Sequence, residues 1–149
     1  MMAQAKYVLQ NEKIIFSFES NTGKKMVLAK DKLDAYIIYR FGSKEKVEME
    51  FPTKTRDSWG KFKYSFYLRG GGVANTGMDL NYVYFDSNHI RYVIYDTYFS
   101  ELNKYSVGIR VILPDKKIIE IKGNTKTRKG NMVDFRDNGL LEIGDELFD

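Results

Sequence analysis

Apolar and polar side chains alternate along most of this chain with a period of two, the spacing of strands that bury one face. From Lys46 to Phe51 the pattern turns Val47, Met49 and Phe51 inward and leaves Lys46, Glu48 and Glu50 in water. Ile14, Phe16 and Phe18 make a second inward row, and Phe62, Tyr64, Phe66 and Leu68 a third, opposite Lys61, Lys63, Ser65 and Tyr67. Short polar breaks separate the rows: Asn21-Thr22-Gly23, Gly42-Ser43, Asp86-Ser87-Asn88 and Pro114-Asp115. Such breaks fold a strand back on its neighbour, and short hairpins force antiparallel pairing, since a parallel pair needs a crossover of a dozen or more residues. About nine to eleven strands fit at this spacing. The expectation is all-β: a single antiparallel β-barrel or two-sheet β-sandwich spanning residues 1–149 as one domain. No helical stripe competes with it. Phe99 to Tyr105 and the stretch from Leu140 are the two candidates for a short helical turn.

Two segments, Asn81 to Phe85 and Tyr92 to Tyr95, are apolar on both faces. Either they are central strands covered on both sides, or one face is an aromatic binding surface. Tyrosine suits both, with a ring that can be buried and a hydroxyl that reaches water or a partner.

Composition narrows the chemistry. With 149 residues, 43% apolar and 30% charged, the chain can bury one core and is not generally disordered. It has no cysteine, so it holds no disulfide framework, thiolate metal site or cysteine nucleophile. No apolar run approaches the roughly 20 residues of a membrane-spanning helix. Charge is uneven. The net of +4 divides into +9 over residues 1–131 and −5 over residues 132–149. Lys122 to Gly130 reads as a basic loop that attracts the acidic tail and helps dock it. Lys61 to Arg69 interleaves bases and aromatics as a single-strand nucleic-acid surface would. Alternation points its rings and its cations to opposite faces, so no nucleic-acid partner is expected.

Candidate sites are few. Arg69-Gly70-Gly71-Gly72-Val73-Ala74-Asn75-Thr76-Gly77 is the unusual segment. Three glycines allow close approach of another backbone, and successive amides next to Arg69 could cradle an anion. The segment lacks the Gly-Lys-Ser/Thr ending of a phosphate loop, and reads first as an exposed connection that could enter a partner's groove. His89 is the only histidine and lies by a turn, where a solvated role is expected. Asp134 to Gly139 lacks the alternating ligands of a calcium loop. Asp96 and Glu101 form a candidate carboxylate pair among aromatics, a pairing whose chemistry depends on separation and solvation. No catalytic, cofactor-binding or metal-binding residue is assigned.

Tyr36-Ile37-Ile38-Tyr39-Arg40-Phe41-Gly42, followed by Lys46-Val47-Glu48-Met49-Glu50-Phe51-Pro52, resembles small, mostly uncharacterised exported β-proteins of Gram-negative bacteria. Ser65 to Gly72 and Leu80 to Phe85 are similar to their glycine-rich later segment. The cysteine pair such relatives often carry near the first hairpin is absent, with Phe18 and Ala29 in that region. The resemblance implies a periplasmic protein. Ala3-Gln4-Ala5 agrees, matching the small-x-small pattern before signal-peptidase cleavage; an ordinary cytoplasmic start is the alternative. The resulting expectation is a non-enzymatic periplasmic binding protein, an inhibitor or immunity-type protein that occludes a toxin or cell-wall hydrolase. Its partner contacts would be Arg69, Gly70, Gly71, Gly72, Asn75 and Thr76. The alternative is a lipocalin-like carrier of a small apolar ligand, which needs a cavity of roughly 300–1,000 Å³.

Overall fold

The computed structural model describes residues 6–70 and 77–145, and these hold ten strands. They are β1 (Glu12–Ser20), β2 (Lys25–Asp31), β3 (Ile37–Gly42), β4 (Val47–Phe51), β5 (Phe62–Arg69), β6 (Met78–Ser87), β7 (Ile90–Phe99), β8 (Lys104–Ile112), β9 (Ile118–Gly130) and β10 (Glu142–Ile143). All are hydrogen-bonded into one sheet of order β10-β5-β6-β7-β8-β9-β1-β2-β3-β4. Every pairing is antiparallel except β10 with β5. The fold is therefore all-β, as the alternation predicts, but the sheet is not a closed barrel. The free edge of β5 that closure would need is taken by β10, through Glu142↔Lys63 and Ile143↔Tyr64.

The sheet bends at β9 so that its two halves face each other. Phe16, Phe18, Met26, Leu28, Ile37 and Tyr39 from β1–β3 meet Phe62, Tyr64, Val83, Phe85, Ile94 and Ile109 from β5–β8 in one buried core. These side chains form the packed interface between the two halves of the sheet. Across the seam between β4 and β5, rings replace ladder hydrogen bonds: Phe51 stacks on Phe85 at 4.4 Å and meets Phe62 edge-on at 5.7 Å. A 3-10 turn over Arg56–Lys61 spans that seam. It docks on β3 through the Ile37 N–H to Ser58 Oγ bond of 2.9 Å, and Trp59 Nε1 donates to the Asp34 carbonyl.

Two inward rows are interrupted by bulges. Ile14 pairs with Ala29 and Phe16 with Leu28, so Ile15 is an extra residue in β1. Ile14 consequently joins the outer cluster of Tyr7, Val27, Ala29, Tyr36 and Ile38, while Phe16 and Phe18 stay in the core. In the same way Phe41 pairs with Met49 but Gly42 with Val47, and Val47 turns to the outer cluster. Phe99 to Tyr105 holds a hairpin turn rather than a helical one, and the stretch from Leu140 contributes β10. The helical turn of the tail lies earlier, over Val133–Arg136.

Lys122 to Gly130 is the second half of β9, not a loop. Among the described residues, no ion pair joins the tail to it. Among the described residues, Met132, Phe135 and Leu141 anchor the tail in the core, and the tail's one cation, Arg136, bonds Asp79 Oδ1 at 2.6 Å. Burying three apolar side chains outweighs screened surface attraction.

One buried charge cluster fixes the N-terminal segment over β1–β3. Arg40 is 1% exposed and makes a bidentate pair with Glu12 at 2.6 and 2.9 Å. The same guanidinium bonds Glu50 Oε2 and the Tyr7 carbonyl, while Tyr36 donates its hydroxyl to Glu12. Burial raises the Glu12 pKa; the bonds from Arg40, the Leu9 N–H and the Tyr36 hydroxyl more than reverse this and hold it at about 2.

Candidate functional site

Strand register decides which side chains share the outer face of β5–β8. Arg69↔Met78↔Phe99↔Lys104 forms its rim row. Tyr67↔Leu80↔Thr97↔Ser106 follows, then Ser65↔Tyr82↔Tyr95↔Gly108↔Lys122. The face is thus an aromatic strip edged by cations. Leu80, Tyr82, Tyr84, Val93 and Tyr95 pack into a cluster of their own, with Tyr67, Met78 and Phe99 against it. Of the doubly apolar segments, β6 and β7 are central strands, and their outer face is aromatic.

Within this face lies a groove of 470 Å³, reaching from Tyr95 and Phe99 across Lys104, Ser106 and Arg110 to Lys122 and Thr125. A polar bracket sets its floor. The Tyr95 hydroxyl donates to Glu120 Oε1 at 2.8 Å, Arg110 Nε reaches Glu120 Oε2 at 3.3 Å, and the Arg110 guanidinium lies 5.2 Å from the centre of the Tyr95 ring. Burial and then the bond to Glu120 push the Tyr95 pKa up, so the hydroxyl remains a donor. The Tyr95 side chain can pass close over residue 108 because that residue is glycine. A Cβ there would collide with the Tyr95 hydroxyl and sit 2.5 Å from the Ile121 carbonyl oxygen. Gly108→Ala is expected to destabilise the protein by about 1–3 kcal/mol through overpacking. Tyr95→Phe, which deletes one hydrogen bond, should cost about 1 kcal/mol. Urea unfolding of both variants checks this, and an unperturbed Gly108→Ala would refute the close approach.

On the inner face, the same end of β5–β9 carries charge. Arg128 pairs with Asp96 through two bonds of 3.0 and 2.6 Å, and its guanidinium lies 5.7 Å from the Tyr105 ring centre. Arg136 bonds Asp79, Asn81 and the Tyr64 hydroxyl, and lies 4.8 Å from the Phe66 ring centre. The Tyr64 hydroxyl in turn donates to Asn81 Oδ1.

The residues singled out in the sequence fall differently. Arg69 ends β5 and belongs to the rim row; Gly70 follows it, exposed, with open space around its Cα. Gly71, Gly72, Asn75 and Thr76 lie outside the described residues, as does Ala3-Gln4-Ala5. Asp96 and Glu101 do not form a carboxylate pair of one kind: Asp96 is buried against Arg128, whereas Glu101 sits exposed in the β7–β8 turn. His89 is exposed in the β6–β7 hairpin, where Asn88 and His89 both take positive φ. Among the described residues no group of three His, Asp or Glu side chains is placed to hold a metal ion. None of their helices is long and apolar enough to cross a membrane. Phe99, Lys104, Arg110 and Lys122 escaped the sequence reading, because only register brings them together. Comparison with family models, with curated proteins and with solved structures finds no match for this chain.

Proposed function

We propose that this chain is a non-enzymatic binding protein, of inhibitor or immunity type, that occludes a toxin or cell-wall hydrolase in the periplasm. The observation that carries the reading is the rim row Arg69, Met78, Phe99 and Lys104, continuous with the groove behind it. Aromatic and arginine side chains over a rigid sheet are the composition of interface anchors, and rigidity limits the ordering cost of association. Gly70, the first residue of the glycine-rich segment, follows Arg69 at the end of this row. Three arginine-bound carboxylates, two of them buried, support the same reading. Glu12, Asp96 and Asp79 are each bonded to an arginine, which suits them to holding structure rather than moving protons.

A photo-crosslinking amino acid at position 99, with position 33 as the control, tests the proposal in periplasm-directed cells. Leu33 is 89% exposed and lies in the β2–β3 turn, away from the rim row. The expected result is one adduct formed from position 99 and not from position 33, with a partner whose own turnover falls when the purified protein is added. An adduct partner with unchanged turnover, or equal labelling from both positions, overturns the proposal.

A further inference from the structure

The groove behind the rim row exists because β9 changes partners. Its first half pairs with β8 from Ile112↔Ile118 to Gly108↔Lys122, and there the ladder stops. From Gly123 onward β9 pairs with β1 instead, through Ser20↔Gly123 and Glu19↔Asn124. The switch needs a glycine, since a Cβ at position 123 would sit 2.6 Å from Phe18 and 2.8 Å from Val107. Residues 125–128 then bulge, because Ser17 pairs with Lys129 while Glu19 pairs with Asn124. Among the described residues, Lys104 to Val107 of β8 are paired on one side, with β7, and have no ladder partner on the other. The sheet is forked at this point.

We infer that the fork accepts an extended acidic segment of a protein partner as an added strand on residues 104–107 of β8. Three features select that occupant. A strand edge left without a neighbour offers backbone donors and acceptors at fixed spacing, the basis of recognition by strand addition. The groove over the fork has room, at 470 Å³, and four residues of β8 offer about 13 Å of edge. Its charge is cationic. Lys104, Arg110 and Lys122 line it against the single carboxylate of Glu120, which Arg110 and Tyr95 already engage. Arg128 shuts the inner side by crossing from β9 past the Tyr105 ring to Asp96. The outward-pointing side chains of an added strand therefore lie beside the cations. Alternate residues of the segment would face Lys104 and Lys122, which favours acidic side chains at every second position.

This inference rests on the binding-protein reading and is tested separately from it. The probe is a blocked hexapeptide, Asp-Val-Asp-Thr-Asp-Val, titrated to millimolar concentration against the isotope-labelled full chain by NMR. Shifts are expected at Lys104–Val107 and Lys122–Thr125, with slowed hydrogen exchange along that stretch of β8. The same peptide N-methylated at alternate residues along its pairing edge should not bind. Lys104→Glu combined with Lys122→Glu, both at exposed positions, should weaken binding by ~tenfold or more while leaving the unfolding midpoint in place. Equal binding of the N-methylated peptide would mean attraction by charge alone and overturns strand addition. So do shifts confined to other strands, no shifts at all, or a dimer that fills the fork with a second copy. If the position 99 adduct survives in the double variant and the peptide does not bind, strand addition fails and the binding-protein reading stands. Peptide binding without any adduct gives the reverse.

Discussion

Arg40→Ala is expected to remove about 3–5 kcal/mol of stability at neutral pH, a large share of the 5–15 kcal/mol typical of a domain. The loss comes less from the missing bonds than from what stays behind. The Glu12 side chain has no exposed surface, so without Arg40 its charge is left in the protein with only the Leu9 N–H and the Tyr36 hydroxyl to solvate it. The Tyr7 carbonyl loses its donor as well, which frees the N-terminal segment from β3. Replacing both members, with Glu12→Gln and Arg40→Met, should recover much of the loss, because burying an ion pair costs nearly what the pair returns. Urea unfolding of the two single variants and the double variant measures this. A single-variant loss below about 1 kcal/mol would show that the pair is solvated and worth no more than a surface bridge.

Acid separates the two explanations further. In the native protein Glu12 titrates at about 2, below the usual 4.5 of the unfolded chain. A carboxyl depressed in the folded state stabilises it fully above its unfolded pKa. That contribution, about 3 kcal/mol, disappears as pH falls from about 4.5 toward 2. In Arg40→Ala, burial acts with its strongest opponent removed and drives the Glu12 pKa upward. A carboxyl raised above its unfolded value makes the fold more stable as pH falls through the raised pKa. Stability measured between neutral pH and pH 3 should therefore decline in the native protein while the gap to the variant narrows. Parallel curves would mean that Arg40 does not control Glu12.

How much of this could be read in advance differs residue by residue. Phe16, Phe18, Met49, Phe51, Phe62 and Tyr64 face the core as their alternation requires, because a strand has only two faces and water decides between them. Ile14 and Val47 sit on the other face because a single extra residue shifts the register, and no local residue type announces a bulge. Arg40 interrupts an apolar run and looks like a solvent-facing position. It is buried because Glu12, 28 positions away, comes to meet it. The groove was the least legible feature. Its cations lie on two strands, β8 and β9, and its glycines at two crossings, a juxtaposition created by pairing and invisible to spacing along the chain. The unclosed edge has the same origin: the two residues of β10 that occupy it carry no strand signal apart from their place beside β5.

Phe85→Ala should rival the loss of Arg40, at about 3–5 kcal/mol, and it acts on the seam that a barrel would have closed. Phe85 is 2% exposed and touches four rings: Phe51 at 4.4 Å, Tyr92 at 4.9 Å, Tyr39 at 5.0 Å and Phe62 at 5.2 Å. Three of these lie on β3, β4 and β5, so one side chain on β6 ties both halves of the sheet together where no ladder does. Removing it deletes the stacked partner of Phe51, and β4 retains its pairing with β3 and the edge-on contact of Phe51 with Phe62. Amide exchange should then accelerate in β4 more than in β7, although β7 is adjacent to the substitution and β4 is not. Phe85→Leu, which keeps most of the volume, should cost less than half as much and leave β4 protected. Uniform loss of protection across the sheet would assign Phe85 an ordinary core role. Selective opening of β4 would show that ring contacts, rather than hydrogen bonds, hold the two edges of this sheet together.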